Sequence, residues 1–94
     1  NMNIEISPKK YERKLNWNDG MLYCQLLIID GKNDWRLPTK DELDYIYHSE
    51  NDFDDAFYWS STEINGYTAW NQFMSSGGQN NYFKNSSNYV RPVR

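Results

Sequence analysis

The spacing of apolar residues changes character partway along this 94-residue chain. The first half carries them at helical intervals, and the second carries them in short runs broken by turn residues. Residues 1 to 15 begin with an extended piece holding Ile4 and Ile6, then become polar and basic around Pro8. Trp17, Met21, Cys24 and Leu27 or Ile28 then recur as one face of a helix, with Asn16 or Asn18 as its cap. Gly20 weakens that helix by about 1 kcal/mol relative to alanine. Asp30 to Asp34 forms a turn cluster. The second helix has a sharper start. Thr39-Lys40-Asp41-Glu42 is a capping box preceded by Pro38, and Leu43, Ile46 and Tyr47 line one face. It is expected to end near His48 or Ser49, before an acidic loop over residues 49–56.

Strand signals follow. Residues 57–62 are rich in aromatic and β-preferring types, and Asn65-Gly66 is a hairpin-type turn. Residues 68–74 alternate, with Trp70 and Phe73 expected inward. A turn is expected over residues 75–81, then short strands at 82–84 and 89–93. Helices first and an antiparallel sheet second is an α+β pattern. The length suits one domain, residues 1–94.

Composition narrows what can fill its core. Aromatics number sixteen (Trp 4, Tyr 8, Phe 4), and Val, Ile, Leu and Met together number only seventeen. Mean hydropathy is -0.96. A polar chain of this kind builds its interior from rings, and the aromatic content excludes a disordered chain. No run is long enough to cross a membrane as a helix. The expected core holds Trp17, Cys24, Trp35, Arg36, Glu42, Leu43, Trp59, Trp70, Phe73 and Val93. Each buried ring removes roughly 150 to 250 Å² from water. Trp17, at a helix start, is expected to be the most exposed of the four tryptophans. Arg36 is expected to be buried and paired with an acid or with sheet carbonyls.

Charge excludes one class of partner. Net charge is -3 and the pI is about 5.0, so a nucleic-acid role is disfavoured. Lys9, Lys10, Arg13 and Lys14 form a basic stretch. Eight acids and no Lys or Arg lie between Asp41 and Glu63. Asp52, Asp54, Asp55 and Glu63 are weak calcium candidates, although no EF-hand spacing is present. Cys24 is alone and His48 is the single histidine, so neither a disulfide nor a Cys/His zinc site is available. Ser60 and Ser61 have no base nearby in sequence. No catalytic residues and no cofactor are therefore expected.

Three segments, in order, carry a resemblance. They are Trp35-Arg36-Leu37-Pro38-Thr39-Lys40-Asp41-Glu42-Leu43, Tyr58-Trp59-Ser60-Ser61-Thr62-Glu63 and Val90-Arg91-Pro92-Val93-Arg94, with Trp17 and Tyr23-Cys24-Gln25-Leu26 before them. Over about residues 15–94 the chain resembles the Lcl C-terminal domain family, named after a bacterial collagen-like adhesin. Residues 1–14 stand before that match as an N-terminal strand and basic segment. The resemblance implies a C-type-lectin-like fold related to the formylglycine-generating enzymes. That means two helices on a twisted antiparallel sheet, with the terminal segments brought together. It also implies a secreted, surface-exposed or phage-borne protein. The formylglycine enzymes use two cysteines and this chain has one. Lectin-type calcium binding uses a Glu-Pro-Asn loop, absent here, and a Trp-Asn-Asp strand that Trp70-Asn71-Gln72 only partly echoes. The named adhesin is implicated in binding polyanionic glycans, and the acidic balance here departs from that.

The loops supply the recognition chemistry. Tyr, Ser, Gly and Asn are the residues antibody loops use for contact and adaptable hydrogen bonding, and they also favour plain turns. The expected ligand-binding set is Tyr67, Asn71, Gln79, Asn80, Tyr82 and Asn85. The expected function is non-catalytic binding or adhesion, on a glycan or protein surface, outside the cell or at its surface. The alternative is a structural component of a phage particle or surface appendage, with homo-oligomerisation as a corollary.

Overall fold

The capping box forms as its spacing requires. Thr39 Oγ1 accepts the Glu42 amide at 3.2 Å, and the Glu42 carboxylate accepts the Thr39 amide at 2.9 Å. Helix α2, Lys40–Ser49, starts there. Helix α1, Trp17–Leu26, starts on Asn16, whose side chain accepts the Asp19 amide at 2.9 Å. The structure is a computed structural model and describes residues 2–49 and 52–94. Residues 50 and 51 of the expected acidic loop lie outside the described residues.

Among the described residues five strands follow in chain order: β1, Arg13–Leu15; β2, Phe57–Glu63; β3, Thr68–Phe73; β4, Gln79–Phe83; β5, Asn88–Val90. They form one sheet in the order β1-β5-β2-β3-β4. The pairings are antiparallel except β2 with β5, which run parallel at Tyr58 and Tyr89. The fold is therefore α+β, two helices on a mostly antiparallel sheet.

Three expectations about the strands change. β1 lies in what reads as a polar basic stretch, and its pairing comes from β5, far along the chain. β4 begins at Gln79, inside the expected turn, because Gln79 registers opposite Gln72. The turn before it depends on Gly77 at φ 83, where an added Cβ would stand 2.6 Å from a Tyr47 ring carbon. The Asn65-Gly66 turn closes differently from a glycine-led hairpin. Asn65 Oδ1 accepts the amides of Tyr67 and Thr68 at 2.8 and 2.9 Å, and the Thr68 hydroxyl at 2.9 Å.

Consecutive strand residues point to opposite faces, and Tyr58 and Trp59 divide the core accordingly. Trp59 packs with Trp17, Cys24, Leu37, Ala69 and Val90 on the α1 side. Tyr58 packs with Leu43, Ile46, Met74 and Val93 on the α2 side. α1 approaches β5 closely at Gly20, where a Cβ would stand 2.8 Å from Val90 Cγ2. The residue that weakens the helix is the one that lets it dock.

The tryptophans rank differently from expectation. Trp17 is buried, and its indole N–H donates to the Ser60 carbonyl at 2.8 Å. Trp70 is the half-buried one, with the Lys40 ammonium 4.3 Å from its ring. Phe73 is likewise half-buried, stacked on Phe57 at 4.7 Å. Trp35, Leu43, Trp59 and Val93 are buried as expected.

The terminal segments lie side by side. Ile6 bridges Val93, and the Ser7 amide donates to the Pro92 carbonyl at 3.0 Å. Glu5 and Arg94 exchange backbone hydrogen bonds of 2.6 and 2.9 Å.

The arginine expected to be buried is not the buried one. Arg36 pairs with Glu42 at 2.6 and 2.9 Å, but its side chain is 45% exposed. Its hydrogen bonds hold the Glu42 carboxyl below the usual carboxylate range. The buried arginine is Arg91, 2% exposed. It donates to Ser7 O at 2.8 Å, Glu12 Oε2 at 3.0 Å and Asp52 Oδ2 at 2.9 Å. Tyr58 donates its phenol proton to the same Glu12 oxygen at 2.7 Å. Burial first, and that bond second, hold the phenol well above its ordinary pKa. Breaking a buried pair from one side costs ~3–5 kcal/mol, whereas an exposed pair contributes ~0–1 kcal/mol. Arg91→Met is therefore expected to lower the thermal midpoint severely and Arg36→Met only slightly. Equal shifts in thermal denaturation would contradict this assignment of the buried arginine.

Candidate functional site

A loop cleft forms where three segments are stitched together by the main chain. The Lys84 amide donates to Tyr67 O at 2.8 Å, carrying the β3–β4 ladder one residue further. The Trp17 amide donates to Lys84 O at 2.9 Å, fixing the start of α1 against the same point. The Ser86 amide closes on Phe83 O at 3.0 Å. The resulting cleft has a volume of about 280 Å³ and is lined by Asn16, Asn18, Gly66, Tyr67, Phe83, Lys84 and Asn85.

Its surface chemistry is unusual for a fold with so much buried aromatic. Tyr67 is 80% exposed and Phe83 is 66% exposed. Three carboxamides, from Asn16, Asn18 and Asn85, stand around them. The cation in the wall is already neutralised. The Lys84 ammonium lies 2.6 Å from a Glu63 oxygen and 4.3 Å from the Trp17 ring centroid. The cleft thus presents rings and amides without a free charge of its own. Such a surface stacks on apolar faces and exchanges hydrogen bonds with neutral polar groups.

Two of the six expected ligand residues, Tyr67 and Asn85, line this cleft. The other four do not. Asn71 is 1% exposed and faces the interior. Gln79 donates to the Lys40 carbonyl at 3.0 Å and to Gln72 Oε1 at 3.2 Å, binding β4 to α2 and β3. Asn80 donates to Gly78 O at 3.3 Å within its own turn. Tyr82 packs at 5.3 Å from Phe57 and 6.5 Å from Trp59. Tyr89, also beside a loop in sequence, lies 5.4 Å from Tyr58 at the edge of the core. The physical reason is common to most of these. What reads as a glycine- and asparagine-rich loop is half strand, and its side chains are used on neighbouring elements. Asn16, Asn18 and Phe83 were the residues missed. The first two carry a capping signal, and Phe83 carries a strand signal; neither type points to a surface.

Three of the four acidic candidates for calcium are engaged elsewhere. Asp52 pairs with Arg91, Asp54 with Lys9 at 3.0 Å, and Glu63 with Lys84. Asp55 is exposed on another cleft. Among the described residues no group of three His, Cys, Asp or Glu side chains converges to hold a metal ion.

The nucleophile candidates are held in structural contacts. Ser60 Oγ donates to Trp70 O at 2.6 Å inside the sheet. His48 Nδ1 lies 2.8 Å from its own helix carbonyl at Asp44. Cys24 is fully buried, and burial pushes its thiol pKa up to about 12. Only the thiolate reacts, so Cys24 is expected to resist alkylation at pH 8 in the folded protein and to react once unfolded in guanidinium. Labelling of the native protein at the rate of a free thiol would show that Cys24 is not packed against Trp59 and its neighbours.

Comparison with known proteins gives one assignment. The model of the Lcl C-terminal domain family matches residues 3–94, and the chain belongs to that family. The match takes in the N-terminal segment before residue 15, whose contacts with Arg91 and Val93 are part of the fold. No curated protein matches the chain. No helix among the described residues is long and apolar enough to cross a membrane.

Proposed function

We propose that this Lcl C-terminal domain is a non-catalytic binding and adhesion module that meets a glycan or a protein surface through its loop cleft. The observation that carries the reading is the pair of exposed rings, Tyr67 and Phe83, set among three carboxamides. A small domain gains nothing in stability from rings left in water. Rings of this kind are common anchors at recognition surfaces, where they bury large area at low entropic cost. The module acts outside the cell or at its surface, in keeping with the adhesin that gives the family its name.

The test is a glycan array together with protein pull-downs, using the wild type and Tyr67→Ala/Asn85→Ala. Binding is expected to fall at least about tenfold in the double variant, corresponding to ~1.4 kcal/mol, with an unchanged thermal midpoint. A double variant that binds as well as wild type removes the loop cleft from consideration.

A second reading, as an assembly component of a phage particle or surface appendage, has its own observation. Leu22 and Leu26 stand exposed on the outer face of α1, beside Leu15 and Tyr23 around a shallow depression of about 290 Å³. Ile28 is exposed just after the helix. If this face joins subunits, light scattering is expected to show an oligomer that Leu26→Glu dissolves. A monomer at high concentration counts against it.

A further inference from the structure

The two edges of the sheet are built differently. The order β1-β5-β2-β3-β4 leaves β1 and β4 outermost. An open edge strand presents unpaired main-chain groups, and proteins guard it with charge, proline or a bulge. β1 is three residues long and carries Arg13 and Lys14, both exposed. β4, Gln79-Asn80-Asn81-Tyr82-Phe83, has none of these guards. It holds no charged residue and no proline, and every one of its residues stays in regular register with β3.

The ladder fixes which groups of β4 point outward. The Phe73 amide donates to Gly78 O and the Lys84 amide to Tyr67 O, both at 2.8 Å. Hydrogen-bonded and non-hydrogen-bonded pairs alternate along an antiparallel ladder. Asn80 and Tyr82 therefore bond β3, and Gln79, Asn81 and Phe83 turn their amides and carbonyls away from it. The Phe83 carbonyl accepts once, from the Ser86 amide at 3.0 Å. The other outward groups have no partner among the described residues. Asn81 is exposed, as is Phe83. The Gln79 side chain is drawn back onto Lys40 and Gln72, and that of Asn80 onto Gly78, so neither covers the edge.

We propose that β4 is a self-association edge, which pairs antiparallel with β4 of a second copy about a two-fold axis at Asn81. In that register Asn81 faces Asn81 and Gln79 faces Phe83. Each outward amide then meets an outward carbonyl, and the Phe83 carbonyl accepts with its second lone pair. The occupant is a second copy because the strand is complementary to itself. A two-fold contact sets one patch against the same patch, so a charge at its centre would face its own like, and β4 carries none. The same operation on β1 would set Arg13 and Lys14 against the cations of the copy. Lys84, just past β4, comes opposite Gly78, which has no side chain to meet it, and its ammonium is already held by Glu63. The pairing closes at two copies, since the edges left outermost are the basic β1 strands. It does not rest on the loop cleft, which uses the Phe83 ring where the pairing uses the main chain. It is also separate from the Leu22 and Leu26 face of α1.

The test combines light scattering with amide hydrogen exchange read by NMR, from about 10 μM to about 1 mM protein, a range that covers weak association. A dimer is expected to build up with concentration. Protection is expected to rise with it at the Gln79, Asn81 and Phe83 amides and to stay constant at Asn80 and Tyr82. Asn81→Pro removes an outward N–H that β3 does not use and is expected to weaken the dimer at least tenfold. Asn81→Lys changes only an exposed side chain and serves if the proline variant does not fold. It is expected to weaken the dimer similarly, and mixing it with Asn81→Glu is expected to restore association. Leu26→Glu is expected to leave the dimer intact. The pairing is overturned if the protein stays monomeric at about 1 mM. Outward amides that such a monomer protects only when a Thr-Val repeat peptide is added would give the edge to another chain, and overturn it equally. An oligomer that Leu26→Glu dissolves and Asn81→Lys keeps also overturns it, and places the contact on α1.

Discussion

The Arg91 guanidinium ties together segments from distant parts of the chain. It reaches Ser7 and Glu12 near one end of the chain, Asp52 in the loop after α2, and packs 4.7 Å from the Phe53 ring. Burying a guanidinium is costly unless it is paired and hydrogen-bonded. Here each bond goes to a different stretch of backbone, so satisfying the charge requires all of them to be in place at once. The Tyr58 phenol completes the arrangement from the sheet. The N-terminal segment, Asp52 and the C-terminal strand are thereby fixed relative to β2, and the sheet has a defined frame on which loops can be presented.

How much of this was legible depended on the reach of each interaction. The capping box at Thr39 and Glu42 needs only four residues, and both α2 and its apolar face at Leu43 and Ile46 read correctly. The Asn16 cap and the burial of Cys24 are local in the same sense. Trp17 is buried because its indole finds the Ser60 carbonyl, and nothing within α1 announces that carbonyl. Arg36 and Arg91 look alike in sequence, each followed within two residues by proline. Only the fold shows that Glu42, on an exposed helix end, leaves Arg36 half in water, while Glu12 meets Arg91 inside. β1 has no periodicity over its three residues and exists because β5 accepts it.

The site was legible in kind but not in place. Tyrosine and asparagine in loops did point to an exposed polar and aromatic surface, and Tyr67 and Asn85 are on it. Asn71, Gln79 and Asn80 share that composition, yet strand pairing turned the first two amides toward neighbouring elements, and Asn80 bonds Gly78 within its own turn. In a chain this rich in carboxamides, composition cannot separate amides that face water from amides that bridge β3, β4 and α2. That separation comes from register. Opposite Gln72 stands Gln79, and one residue of slip would have turned their bridging amides to the other face.

The antiparallel pairing of the two terminal segments has a mechanical consequence. Tension applied to the two ends would load the Glu5–Arg94 hydrogen bonds first and the Ser7–Pro92 bond next, one rung after another rather than all in parallel. Such a geometry peels at low force. Directly behind the last rung sits the Arg91 bond to the Ser7 carbonyl. A pull that opens the outer rungs is arrested there, so the domain yields a short length of slack before its core carries any load.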